Sequence, residues 1–122
     1  MSHKTRIMYI ENKGGDAVEH FWGTVSFPAS LTGPGRIGRV TFTKTGKGLY
    51  YQGKLLERAN GSKANYVCHE TSEWFWVSGP KKRGGDALYA TNIHTEIDED
   101  VREEYWTTIR NQPERVKESK TL

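Results

Sequence analysis

The chain has 122 residues, enough for one domain that buries roughly two-thirds of the surface of its unfolded state. Its 18 Lys and Arg against 15 Asp and Glu leave a formal net charge of +3, which is too small by itself to indicate a nucleic-acid-binding protein. The single cysteine, Cys68, excludes an intramolecular disulfide, and no apolar run is long enough for a signal peptide or a membrane span, so we expect a cytoplasmic protein.

The first predicted element is a strand over residues 6–11, where apolar side chains occupy both faces. A strand that is apolar on both sides belongs inside a sheet, so we expect it to be covered on each face. Residues 17–30 follow the glycines that end this strand, and we predict an extra hairpin there. Gly23 allows a bulge or a turn within it, and Pro28, which has no backbone N–H, ends the run.

Residues 35–79 are the centre of the predicted fold, because short β-rich runs alternate there with turns that carry glycine or polar residues. The predicted strands span residues 36–44, 49–56, 66–70 and 74–78. The 4 Trp, 6 Tyr and 4 Phe supply large buried area per residue, which suits a small barrel. The sequence therefore predicts a mainly β (α+β) fold: a small SH3-like barrel, or a strongly bent antiparallel sheet, of five to seven strands with one C-terminal helix.

A turn-rich loop over residues 79–86 carries the three consecutive positive charges of Lys81, Lys82 and Arg83. Glycines on both sides let backbone N–H groups approach an anion, which favours a phosphate-binding loop. Three basic residues at a hairpin tip are also common as solubilising residues, so both interpretations stay open. A short strand is predicted after the loop, over residues 87–91.

The one predicted helix spans residues 98–111, with Asp98 as its N-cap. Its apolar residues recur every four positions and predict a stripe that packs on the barrel. The stripe consists of Val101, Tyr105 and Ile109, with Trp106 beside them. Residues 112–122 are polar and without periodicity, so we expect a single domain over residues 1–111 and a flexible tail after it.

Basic and aromatic residues together suggest that the protein binds a nucleic acid. Residues 36–63 contain seven Lys or Arg and one acid, Glu57, and the segment 74–76 places two indoles on one face of a strand. Either the helix covers this aromatic face, or the face is exposed and combines stacking with charge, as proteins that bind single-stranded nucleic acid do. The candidate ligand-binding residues are Arg36, Arg39, Lys47, Tyr50, Tyr51, Lys54, Trp74, Trp76, Lys81, Lys82 and Arg83.

Two other functional classes stay open. The acidic segment 96–104 suits an adaptor or inhibitor that meets a partner protein through Glu103 and Glu104. A small enzyme that uses Cys68 is the third class, although the adjacent His69 would point to the opposite face of a strand. No Cys or His pair has the spacing of metal ligands, and nothing in the sequence indicates a cofactor. The leading hypothesis is a non-enzymatic binding module for a nucleic acid or a partner protein.

Several short segments resemble a family of short bacterial proteins of unknown function. They are IMYIE (7–11), GP (33–34), RIGRV (36–40), LYY (49–51), KANY (63–66), WVSG (76–79), KK (81–82) and IDEDVREEYW (97–106). Members of that family are often labelled 1-deoxy-D-xylulose-5-phosphate synthase in genomes, but that enzyme is several times longer. Its Gly-Asp-Gly motif with a downstream Asn is not reproduced by Gly85-Asp86-Ala87 and Asn92. The resemblance implies no functional residues, and it makes residues 17–30 an insertion.

Overall fold

The structure, a computed structural model, describes residues 4–15, 34–60, 64–82, 86 and 94–121. Within those ranges the chain forms eight strands and a run of short helical segments near the C-terminus. The strands are β1 (Thr5–Gly15), β2 (Gly35–Phe42), β3 (Gly48–Tyr51), β4 (Lys54–Arg58), β5 (Tyr66–Cys68), β6 (Glu73–Ser78), β7 (Thr95–Ile97) and β8 (Lys120–Thr121). None of the helical segments among these residues is long and apolar enough to cross a membrane.

Strands β1 to β6 form a closed antiparallel barrel of six strands. Their order is β1-β6-β5-β4-β3-β2, and the pairing of β1 with β2 closes the ring. Strand β7 adds to β2 in parallel, and β8 pairs with β7 in antiparallel orientation. The predicted mainly β fold, a small barrel with one C-terminal helix, is confirmed.

The hairpin between β3 and β4 corrects the sequence prediction, which had placed one strand over residues 49–56. The chain turns at Gln52 and Gly53, whose φ angles are 51° and 79°. Positive φ at both central residues is the requirement of a type I′ turn, which joins two strands through a two-residue loop. Tyr51 and Lys54 consequently face each other across the hairpin.

The two faces of β1 enter two different hydrophobic cores. Met8 and Ile10 point into the barrel, whereas Ile7 and Tyr9 point outward beneath the C-terminal helical segments. The barrel core also contains Val40, Leu49, Tyr51, Leu56, Tyr66, Cys68, Phe75 and Val77. The outer core also contains Ile37, Ile97, Val101, Tyr105 and Trp106. The prediction that β1 is covered on both faces follows from its apolar alternation and holds in the structure.

The C-terminal helix, residues 99–109, is not a regular α-helix. It begins as the 3₁₀ segment Glu99–Val101, continues as α1 (Arg102–Glu104) and widens into the π-helical segment Tyr105–Ile109. Asp98 precedes it, but its side chain makes no cap hydrogen bond, which corrects the predicted N-cap. The Asp98 carboxylate instead accepts hydrogen bonds from Arg36 and from the Tyr51 hydroxyl, because the barrel brings these groups beside it.

A buried polar cluster stabilises the C-terminal end of the helix. The widened turn brings the Arg110 N–H to the Tyr105 carbonyl at 2.8 Å. The Arg110 guanidinium then donates to the Tyr105 hydroxyl at 2.7 Å and to the Asp86 carboxylate at 2.8 Å. Burial, with the charge of Asp86, raises the pKa of Tyr105 to about 12, so its hydroxyl stays protonated and donates to Asp86 at 2.8 Å.

Residues 112–121 are structured, which corrects the flexible tail predicted from the sequence. Pro113–Arg115 forms a 3₁₀ turn, and Lys120–Thr121 is strand β8. The segment covers Trp106, because the indole N–H donates to the Glu118 carbonyl at 2.8 Å and the Arg115 guanidinium lies 4.2 Å from an indole ring centroid. The contacts are made to another part of the chain, so the local sequence shows no periodicity that would reveal them.

Three other sequence predictions fall outside the described residues. They are the extra hairpin over residues 17–30, the strand over residues 87–91 and the placement of Arg83. Lys81 and Lys82 are described, and both are exposed.

Removing residues 113–122 is expected to destabilise the protein by roughly 2 to 4 kcal/mol. The truncation leaves the buried indole N–H of Trp106 without its acceptor and removes the cation above the ring. Urea unfolding followed by tryptophan fluorescence measures the loss. The control Arg115→Gln keeps the chain and removes only the half-buried guanidinium with its contacts to the indole, Gln112 and Glu118, and we expect it to cost less than about 1 kcal/mol. An unchanged midpoint for the truncated chain would contradict the packing role of this segment.

Asp86→Asn is expected to cost about 3 to 5 kcal/mol of unfolding free energy, because it leaves the Arg110 cation buried without its carboxylate. Thermal and urea unfolding give the value. The matched control is Glu118→Gln, which removes an exposed carboxylate from Arg115 and is expected to leave the unfolding midpoint close to that of the parent. Equal losses in the two variants would show that burial of the Asp86 pair contributes nothing.

Cys68 is expected to be inert in the native protein, because its side chain is fully buried in the barrel core. A thiol reagent at neutral pH should label it only as fast as the barrel unfolds. Labelling should therefore accelerate with urea in proportion to the unfolded fraction. Rapid labelling of native protein without urea would refute this expectation.

Candidate functional site

Basic side chains gather at one end of the barrel. Because neighbouring strands run in opposite directions, the starts of β1, β3 and β5 lie at the same end as the ends of β2, β4 and β6. Among the residues that the structure describes, seven exposed basic residues lie at or just beyond these strand ends: Lys4, Arg6, Lys44, Lys47, Arg58, Lys81 and Lys82. Glu57 is the acidic residue beside Arg58 on β4. We call this surface the basic end.

Backbone hydrogen bonds fix parts of the basic end relative to one another. The Phe42 N–H donates to the Lys4 carbonyl at 2.8 Å, and the Arg58 N–H donates to the Lys47 carbonyl at 2.9 Å. The Arg58 guanidinium lies 5.8 Å from the centroid of the Tyr66 ring, within cation–π range. The charges therefore stand on a closed, hydrogen-bonded frame.

Three of the predicted basic residues lie elsewhere and form ion pairs. Arg36 donates to Asp98 through two nitrogens, at 2.8 and 2.7 Å. The Lys54 ammonium is 3.3 Å from Glu70, and Arg39 is 3.2 Å from Glu104. Arg36 and Lys54 lie at the opposite end of the barrel, because they begin strands whose far ends carry the basic end. The predicted basic surface is thus divided.

The predicted aromatic residues do not form one platform. Tyr51 is buried and donates its hydroxyl to Asp98 at 2.5 Å. Tyr50 and Trp74 are 47% and 39% exposed, but three strand spacings separate β3 from β6 in either direction around the ring. Measured around the ring, that path is roughly 14 Å, at about 4.8 Å for each strand, and the two side chains lie on opposite sides of the barrel. Trp76 is half-buried against the outer core, so the helix side covers part of the aromatic face.

A groove of about 480 Å³ runs between the barrel and the C-terminal helix. The side chains of Arg6, Arg39 and Lys82 line it, and Glu104 lies opposite on the helix. A second cavity of about 480 Å³ shares Lys82 and part of the helix with the first. Arg6 and Lys82 belong to the basic end, so the groove is continuous with that surface.

A buried ionic contact lies on the outer face of β1 and is not predicted by the sequence. The Lys13 ammonium is 2.6 Å from the Glu11 carboxylate, and the Tyr9 hydroxyl donates to the same carboxylate at 2.5 Å. Burial, followed by the hydrogen bond to Glu11, raises the pKa of Tyr9. Local sequence gives no signal for this contact, because a lysine just beyond the predicted strand over residues 6–11 is usually exposed. We assign it a structural role.

The described residues offer little for metal or thiol chemistry. Among them, no group of three or more His, Cys, Asp or Glu could hold a metal ion. Cys68 is fully buried, whereas His69 is exposed and its Nε2 lies 3.9 Å from Glu57. Along the strand the two residues diverge, as the period of two predicts.

The acidic helix presents an exposed surface of its own. Glu99, Asp100 and Glu103 are exposed, while Glu104 pairs with Arg39. The helix starts beside Asp98, whose partner Arg36 begins β2, so Glu99 and Asp100 lie towards the end opposite the basic end.

Similarity to known proteins adds no information about the function of this chain. Comparisons with protein-family models, with curated proteins and with solved structures find no significant match to this chain. The resemblance to short bacterial proteins of unknown function therefore stays a prediction. Function has to be inferred from the barrel and from the placement of its charged residues.

Proposed function

We propose that this chain is a non-enzymatic binding module that takes nucleic acid at the basic end of its barrel. The observation that carries the proposal is the convergence of seven exposed Lys and Arg side chains on one end. Neutralising phosphates with such side chains releases condensed counterions, which supplies most of the affinity of sequence-independent nucleic-acid binding. Arg36, Arg39 and Lys54 contribute less, because each already has a carboxylate partner.

The rigid backbone of the barrel also supports the basic end as a binding surface. A closed barrel has no free strand edge among the six strands, and the turn between β2 and β3 is held by the hydrogen bond from Gly46 to Thr43. Lys44 lies within that turn and Lys47 directly follows it, so both side chains extend from an ordered backbone. Because the backbone of this turn is already ordered, the protein loses less conformational entropy when a ligand binds.

The asymmetric charge distribution favours the approach of a polyanion to the basic end. The exposed acids Glu99 and Asp100 lie away from the basic end, so the molecule carries opposite charges on separate surfaces. A polyanion is repelled by the acidic surface and attracted by the basic one, which steers encounter. Such steering is strongest at low ionic strength.

A second candidate is a protein adaptor or inhibitor that uses the acidic helix. The exposed carboxylates of Glu99, Asp100 and Glu103 favour it. A basic partner surface would complement them, and mutation of rim charges mainly changes the association rate. This candidate takes first place if nucleic acid fails to bind.

The deciding experiment is fluorescence anisotropy with a labelled single-stranded oligonucleotide over a range of salt concentrations. If about four to six phosphates are neutralised, log affinity should fall with log salt at a slope of roughly −3 to −4. The double variant Lys44→Ala, Lys47→Ala should flatten the slope by about 1.4 and weaken binding. Thermal unfolding checks that the double variant folds normally.

The matched control is Lys54→Ala, Lys120→Ala, which removes two positive charges from ion pairs outside the basic end. Its salt slope should stay within error of the parent. Equal flattening in the two variants would show that net charge, not the basic end, attracts the oligonucleotide. Absence of binding below roughly 100 μM at low salt, near the weak limit of non-specific binders, would eliminate the nucleic-acid proposal.

A further inference from the structure

We propose that the groove beside the C-terminal helix receives one unpaired nucleotide, which makes the module selective for single strands over duplexes. The inference rests on the proposed nucleic-acid function and names the form of nucleic acid that the site takes. It places the phosphate on the groove's cations and the base on its apolar wall. Duplex nucleic acid would then use the basic end alone.

The cations of the groove are positioned for a phosphate. Arg6 and Lys82 belong to the basic end and also line the groove, and Arg39 enters it from β2. A strand whose backbone follows the basic end therefore reaches the groove without leaving positive surface. Arginine donors match phosphate oxygens in pairs, and a guanidinium plane can also stack on a base.

Part of the remaining wall is apolar, and the groove is large enough for a base. Ile7 is buried beneath it, and Pro80 and Ile109 are half-buried beside it. Its volume of about 480 Å³ lies in the range of small-molecule pockets, roughly 300 to 1,000 Å³. The exposed hydroxyl-bearing residues Thr5 and Thr108 add hydrogen-bonding groups at the rim.

Glu104 competes with the proposed phosphate for Arg39. Its carboxylate lies 3.2 Å from the Arg39 guanidinium, and the two side chains are 51% and 38% exposed. An exposed ion pair of this kind contributes about 0 to 1 kcal/mol, so an incoming phosphate can displace it. The groove therefore already accommodates one anionic group against Arg39.

The helix is irregular where it borders the groove. Thr108 and Ile109 belong to the π-helical segment and line both cavities. Short π-helical turns cost stability and often occur at functional sites. Arg110, which follows this segment, is buried and donates to Asp86, and the cations that line the groove come from the barrel and its loop.

A duplex cannot use the groove in the same way. Its bases are paired and stacked, and placing one in a side pocket requires flipping it out at a cost of a few kcal/mol. We therefore expect single strands to bind roughly tenfold or more tightly than a duplex of the same sequence.

The first test changes the competing carboxylate. Glu104→Gln should tighten single-strand binding about two- to fivefold, because Arg39 is released. Glu103→Gln, the neighbouring exposed residue outside the groove, removes the same charge and should change affinity by clearly less. Anisotropy with labelled single-stranded and duplex oligonucleotides of one sequence gives both affinities, and the Glu104→Gln gain should be confined to the single strand.

The second test blocks the groove. Thr108→Glu introduces a carboxylate at the rim and should bring the ratio of single-strand to duplex affinity close to one. Ser119→Glu adds the same charge at an exposed position outside the groove and should keep the ratio. Because each ratio compares two ligands on one variant, a general loss of stability or charge does not mimic the result.

The outcomes separate the two proposals. If single strands and duplexes bind equally, with the expected salt slope and no response to Thr108→Glu, the groove proposal falls and the basic end stands. If no oligonucleotide binds, both fall. If a poly-glutamate peptide binds, responds to Glu104→Gln, and oligonucleotides do not, the groove belongs to an acidic protein segment and the nucleotide proposal is overturned.

Discussion

The pairing of β1 with both β2 and β6 is the constraint on which the rest of the structure depends. It closes the six-strand ring, and it requires β1 to be covered on each side. Met8 and Ile10 fill the barrel, and Ile7 and Tyr9 create the outer apolar surface on which the helix packs. Without the outer surface, Tyr105 and Trp106 would have nothing to bury against, and the groove would have only one wall.

Two similar polar clusters hold the helix at its ends. At the start, Asp98 accepts from Arg36 and Tyr51, and at the end Asp86 accepts from Arg110 and Tyr105. Each combines a carboxylate, a guanidinium and a phenol, so donors and acceptors are matched as burial requires. Burial and the neighbouring Asp98 raise the pKa of Tyr51, which keeps its hydroxyl a donor. We infer that these clusters fix the position of the helix along the barrel more than they add net stability.

Antiparallel geometry explains why charge gathers at one end. Many charged residues of this barrel lie at strand ends and in turns. Because neighbouring strands run in opposite directions, the start of one strand lies beside the end of the next, so residues from several strands meet at the same end of the barrel. Lys47 and Arg58 are eleven positions apart in the chain but are linked by a backbone hydrogen bond at one end. Lys54 is closer to both in sequence and lies at the other end. The proposed binding surface is therefore a property of the closed ring.

The sequence by itself determined the mainly β class, the two-sided burial of β1 and the apolar stripe of Val101, Tyr105 and Ile109 with Trp106 beside it, because these depend on local periodicity. It did not reveal the Gln52-Gly53 turn, whose positive φ at a glutamine has little local signal, or the structured segment after residue 112. Only the tertiary structure decided which charges share a surface and which are paired. The reason is physical: periodicity sets the face on which a side chain lies, whereas ring closure and register set its neighbours.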